Sequence, residues 1–146
     1  PLKFVVIGDG EAGYVKKIKH SGADLDELIF AGNQTDPHVF YGALDALALT
    51  SDNEGTPVSI LEAFACGIPV VARGVGGVVD LIGANERGLL VEKSAMQIAE
   101  ALHETFYGDL VARRERSERA RNFVEERYSV QGLVRSIKTL YETSSD

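Results

Sequence analysis

Short apolar runs recur along the chain, each stopped by glycine or a polar residue and each followed by a helix-like segment, and few architectures accept that order. The runs are Phe4-Val5-Val6-Ile7, Leu28-Ile29-Phe30-Ala31, Ala46 to Leu49, Val70-Val71-Ala72 and Gly88-Leu89-Leu90-Val91. A continuous apolar run of this length is the pattern of a strand buried on both faces, as in a parallel sheet. Between the runs, Tyr14, Val15 and Ile18 stand at helical spacing in a polar segment from about Glu11 to Lys19. A short helix is expected around Val39 to Leu44, a longer one from Pro57 to Cys66, one or two turns at Val78 to Ile82, and helix with short breaks from Ser94 onward. This alternation predicts an α/β fold, a Rossmann-like doubly wound parallel sheet whose ligands bind beyond the carboxyl ends of the strands.

Size and charge narrow the function classes. The 146 residues, 45% of them hydrophobic, suffice for one domain with a real core. A net charge of -7 disfavours nucleic acid as a partner. Cys66 is the only cysteine, so no internal disulfide can form, and no Cys and His cluster has zinc-ligand spacing. No apolar run approaches the roughly 20 residues that span a bilayer, and no signal-peptide pattern opens the chain. A cytoplasmic protein is expected.

The best-punctuated stretch runs from Ser51 to Pro69. Thr56 is a candidate N-cap, Pro57 suits the first helical position, Gly67 suits the left-handed residue after the helix, and Pro69 blocks continuation. Such a helix presents the N–H groups of Val58, Ser59 and Ile60, with the positive end of its dipole, at the sheet edge, where an anionic phosphate fits. Glu54 precedes that position and Glu62 follows it in the second turn. Carboxylates accept hydrogen bonds from hydroxyls, so a diphosphate with hydroxyl-bearing groups on either side, a nucleotide sugar, matches the pattern. Ile60, Leu61, Phe64 and Ala65 make the helix mostly apolar, and Glu62 therefore requires a partner.

These residues resemble the Glu, seven residues, Glu motif of the family 4 (group 1) retaining glycosyltransferases of the GT-B fold, here Glu54 through Glu62. Val5-Val6-Ile7-Gly8-Asp9-Gly10, Leu28-Ile29-Phe30-Ala31-Gly32, Gly67-Ile68-Pro69-Val70-Val71-Ala72, Val75-Gly76-Gly77 and Gly88-Leu89-Leu90-Val91 are similar to further blocks of the family, in order. The resemblance implies that residues 1–146 are the C-terminal, nucleotide-sugar-binding half, with the acceptor-binding half absent and the first strand-helix unit, bearing a diphosphate-neutralising Arg and Lys, also absent. It implies that Glu54 is catalytic and contacts donor-sugar hydroxyls, that Glu62 holds the ribose, and that Gly55, Thr56, Pro57, Val58 and Ser59 line sugar and diphosphate. Gly8, Gly32 and Asn33 would border the base.

The implied reaction is retaining transfer of a sugar, from a UDP-sugar in preference to GDP or ADP donors, to a glycan or polyprenyl-linked acceptor in polysaccharide or lipopolysaccharide biosynthesis, without a metal or other cofactor. The chain alone would bind donor weakly and transfer nothing, and its exposed sheet edges would invite homo-oligomers.

Several features compete with this reading. Gly8-Asp9-Gly10-Glu11-Ala12-Gly13 matches the dinucleotide fingerprint of an NAD-dependent oxidoreductase, although the second strand ends at Gly32-Asn33 without the usual ribose-binding acid. A non-catalytic nucleotide-sugar-binding module is a third reading. Asp24-Leu25-Asp26 is expected in a solvated loop rather than around a metal. His20, His38 and His103 share no spacing, and Cys66 is expected in the core. Arg113 to Arg121 carries interspersed acids, which predicts a helix face laced with ion pairs; as a basic helix it could also rest on an anionic membrane surface at the inner face. Leu133, Val134, Ile137, Leu140 and Tyr141 form a helical stripe expected in a core or interface.

Overall fold

A computed structural model describes residues 2–8, 16–18, 20 and 27–143. The chain divides into two compact units, Pro1–Phe40 and Tyr41–Asp146. In the first, β1 (Phe4–Ile7) pairs in parallel with β2 (Leu28–Gly32), Phe4 opposite Leu28 and Val6 opposite Phe30, with a register shift between Val6 and Ile7. Parallel pairing is as expected, but burial on both faces is not: Phe4, Val5 and Val6 are 44%, 41% and 39% exposed. β1 has a strand on one edge only among the described residues, so an apolar run there reports the sheet it can join rather than cover already in place. Of the helix expected over Glu11 to Lys19, Lys16–Ile18 are helical. Residues 9–13 of the glycine fingerprint and Asp24-Leu25-Asp26 lie outside the described residues.

A short helix, α1 (Pro37–Tyr41), follows β2 and ends three residues earlier than expected. The second unit holds a three-stranded parallel sheet of β3 (Leu47–Leu49), β4 (Val70–Arg73) and β5 (Leu89–Val91), in that order. The strands thus hydrogen-bond as two sheets, β1-β2 and β3-β4-β5. The crossovers are α2 (Val58–Ala65) and α3 (Val78–Ile82). β4 is central, and Val70, Val71 and Ala72 are buried as a continuous apolar run requires. Ile60, Ala63 and Phe64 of α2 and Val78, Leu81 and Ile82 of α3 complete much of the core.

The C-terminal portion is helical with short breaks, as the periodicity predicts: α4 (Ala95–Tyr107), α5 (Leu110–Arg127) and α6 (Val130–Thr143). Ser94 caps α4 and Asp109 caps α5, the latter accepting from Val111 N at 2.8 Å and Ala112 N at 3.3 Å. Ala101 and Leu102 of α4 pack on Val71, Leu89 and Val91. α5 is laced with ion pairs, Arg119–Glu115 at 3.6 Å and Arg121–Glu125 at 3.1 Å, and is tied down by Arg113 donating to Thr105 O and Arg119 to Glu86 O.

The stripe on α6 is not core in this chain: Leu133, Val134, Ile137, Leu140 and Tyr141 are all exposed. Cys66 corrects a second expectation. It terminates α2 and is exposed, because the face that reaches the core is set by Ile60, Ala63 and Phe64, and Cys66 falls off that face. Among the described residues no helix is long and apolar enough to cross a membrane.

Candidate functional site

β3 delivers the chain to the loop Ser51–Pro57, and α2 leaves it. The structure begins α2 at Val58 with Pro57 as N-cap and no side-chain cap, so Thr56 does not serve as the N-cap expected of it; the buried Pro57 ring, in an extended conformation, takes that position one residue later. Ile60 is not free either, since its N–H is donated to Pro57 O at 3.2 Å, tightening the first turn. Among the described residues nothing accepts from the N–H of Val58 or Ser59. The expected anion position is therefore narrower than predicted, two donors rather than three, at the positive end of the helix.

The other end of α2 is as expected: Gly67 has φ +72°, its N–H donates to Phe64 O and that of Ile68 to Ala63 O, both at 2.9 Å, which closes the last carbonyls.

Glu62 has the partner that its half-buried position demands. Tyr41, 4% exposed, donates from its hydroxyl to Glu62 Oε2 at 2.9 Å and lies 3.1 Å from Ser59 O. Burial above all, and then the hydrogen bond to and charge of Glu62, push the phenol well above its usual pKa, so it remains an O–H donor. Among the described residues nothing donates to the second carboxylate oxygen of Glu62, nor to the half-buried carboxylate of Glu54. Both carboxylates thus keep acceptor capacity, Glu54 four residues before the helix start and Glu62 in its second turn. Sequence reasoning asked for a partner to Glu62 without finding Tyr41, because 21 residues separate them and no periodicity links the two. Tyr41→Phe is expected to lower the urea midpoint by the equivalent of about 1 kcal/mol, the size of one hydrogen bond in a partly screened setting, and to leave the secondary structure unchanged by circular dichroism.

Neighbouring strand ends hold the Glu54 loop. Arg73, the last residue of β4, reaches Ser51 O at 3.3 Å and pairs with the carboxylate of Asp52, to which Lys93 also binds at 2.7 Å. The hydrogen bond from Lys93, then that from Arg73, holds the Asp52 carboxyl below its ordinary range. Gly77 N donates to Gly55 O at 3.0 Å. A Cβ at Gly76 would fall on the carbonyl oxygen of Glu54, and one at Gly77 on that of Gly55. In the sequence Gly76 and Gly77 belong to a family block without an evident role, and Arg73, Asp52 and Lys93 stand out by no motif. An arginine ending the apolar run Val70-Val71-Ala72 was the available signal. A cleft of about 600 Å³ lies beside Arg73, with Val75, Val79, Leu90, Lys93 and Gln97 in its walls, and neither Glu54 nor Glu62 lines it.

In the first unit, Gly8 and Gly32 meet: Gly8 N donates to Gly32 O at 2.8 Å, both glycines have positive φ, and Asn33 next to them is exposed. Of the histidines, His20 bonds to Lys16 O, the His103 ring lies tilted against that of Tyr107 and the backbone N–H of His38 donates to Asp36. Among the described residues no group of three or more His, Cys, Asp and Glu could hold a metal.

The family model for glycosyl transferases group 1 matches residues 1–126. The chain belongs to that family. Among its relatives, the O-antigen biosynthesis glycosyltransferase WbnH of Escherichia coli is 34% identical over 125 residues, 85% of this chain and 35% of WbnH. Among solved structures, HepE of Anabaena in complex with UDP-glucose is 26% identical with a TM-score of 0.81, covering 97% of this chain and 41% of HepE. The C-terminal domain of the group 1 protein LpcC from Francisella tularensis is 30% identical with a TM-score of 0.70, covering 88% and 70% of the two chains. The α/β fold is thus that of a GT-B C-terminal domain, and the chain spans about a third of the length of the curated relatives it matches. Family membership displaces the oxidoreductase reading of the Gly8–Gly13 fingerprint.

Proposed function

We propose that this group 1 glycosyltransferase chain binds a nucleotide sugar at the start of α2 and supplies the donor side of a retaining, metal-free sugar transfer. The observation that carries the reading is the pair of unaccepted N–H groups of Val58 and Ser59 between the available carboxylates of Glu54 and Glu62. The diphosphate sits on those N–H groups, the ribose hydroxyls donate to Glu62, and the sugar hydroxyls donate to Glu54, with Gly55, Thr56 and Pro57 beside them. As the glycosidic bond to the diphosphate breaks, negative charge grows on the departing phosphate, and a preorganised helix start stabilises it without reorganising.

The UDP-glucose bound to HepE supports a uridine donor, and the O-antigen role of WbnH supports a glycan or lipid-linked acceptor. An acceptor-binding half covers the apolar stripe of α6 and completes the reaction at the cytoplasmic membrane face.

Calorimetric titration with UDP, GDP, ADP and NADH, repeated with Glu62→Ala, tests the donor site. UDP is expected to bind selectively, and loss of a charge-assisted hydrogen bond should weaken it by roughly tenfold or more. Binding of NADH that is indifferent to Glu62 would sink the proposal. Selective UDP binding by a full-length protein that transfers no sugar would instead support a non-catalytic nucleotide-sugar-binding module.

A further inference from the structure

Glu54 and Glu62 are held by different parts of the fold. Glu62 rides on α2, whose first turn is anchored by buried Pro57 and Ile60 and by the Tyr41 hydroxyl. Glu54 sits in a loop with no regular structure, and its loop neighbours Ser51, Asp52 and Gly55 are bonded from outside by Arg73, Lys93 and Gly77. Arg73 makes two connections to that loop from one guanidinium, to the carbonyl of Ser51 and to the carboxylate of Asp52, two residues before Glu54. The Arg73 side chain is only 17% exposed, whereas those of Asp52 and Lys93 are 69% and 70% exposed. Both cations end on the same exposed Asp52 carboxylate, and Arg73 adds a bond from its shielded guanidinium to the Ser51 backbone that Lys93 does not make. Both Arg73 bonds leave a single nitrogen, Nη1, whose two N–H groups serve the two acceptors.

We infer that Arg73 is a positioning residue for the donor sugar: by clasping Ser51 and Asp52 it fixes the loop that presents Glu54, without touching the ligand. The inference rests on the donor-site reading above. Because the two carboxylates are anchored separately, loosening the clasp affects the sugar and spares the nucleoside diphosphate.

The test is calorimetry of UDP-glucose, UDP-N-acetylglucosamine and UDP with wild type, Arg73→Gln, Arg73→Lys, Lys93→Gln and Glu62→Ala. Arg73→Gln is expected to weaken the better-bound nucleotide sugar about tenfold and to change UDP less than twofold. Arg73→Lys should recover part of the loss, and Lys93→Gln should change little. Equal weakening of UDP and nucleotide sugar by Arg73→Gln, or no change in either, overturns the inference. If wild type holds the sugars no better than UDP, Glu54 contributes no sugar contact to be positioned, and the inference falls with it. Indifference of UDP binding to Glu62→Ala overturns the donor-site reading itself, an outcome distinct from the others.

Discussion

Gly76→Ala is expected to weaken nucleotide-sugar binding by roughly ten- to a hundredfold while Gly74→Ala, two residues away, changes it less than twofold. Gly76 has φ +48°, a left-handed conformation that costs an alanine about 1 kcal/mol. The larger effect is steric. The new Cβ would land on the carbonyl oxygen of Glu54, a backbone atom that cannot rotate away, so the loop itself must shift. Charge-assisted hydrogen bonds are worth about 1.5–3 kcal/mol, and misplacing the Glu54 carboxylate forfeits much of that, which sets the range. At Gly74 the added Cβ meets Leu90 Cδ2 at 3.8 Å, an ordinary contact, and φ is not positive. Calorimetry on the two variants checks the contrast. Equal affinities would mean that the loop carrying Glu54 can move without consequence for the donor.

Phe64→Ala should cost about 3–5 kcal/mol of stability, much of the 5–15 kcal/mol that a domain commonly has. Phe64 is 0% exposed on α2, a helix that packs on β4, α3 and α5. Truncating the ring removes its burial and leaves a cavity that the sheet and flanking helices cannot fill without moving. Phe64→Leu keeps most of the volume and should cost less than about 1.5 kcal/mol. Urea unfolding followed by circular dichroism reads both, as a large and a small fall in midpoint with an unchanged slope. Since the same helix begins at the proposed diphosphate position, Phe64→Ala should also weaken UDP binding in proportion to the unfolded fraction, and binding by the remaining folded molecules should be unaltered.

The local features of α2 could be read in advance because their causes are local. Pro57 near the start, Gly67 in the left-handed position and Pro69 beyond are each confined to a few residues by backbone sterics. The error at Thr56 was of the same local kind: a good capping residue stood next to a proline that took the position instead. Burial was less legible. β1 and β4 carry similar apolar runs, yet Val71 is 1% exposed and Val5 41%, since burial depends on how many neighbours a strand has and not on its own composition.

The chain's residues in order thus settled the α/β class, the parallel strands, the helix that bears Glu62 and the motif from Glu54 to Glu62. Tertiary structure alone decided what holds those carboxylates. Tyr41 with Glu62, Arg73 with Asp52 and Gly76 against Glu54 are each about 20 residues apart. No helical or strand period spans such separations. Arg73 with Asp52 and Gly76 with Glu54 meet because parallel strands joined by crossover helices gather the loops at their carboxyl ends, whereas Tyr41 and Glu62 meet through a hydrogen bond between α1 and α2.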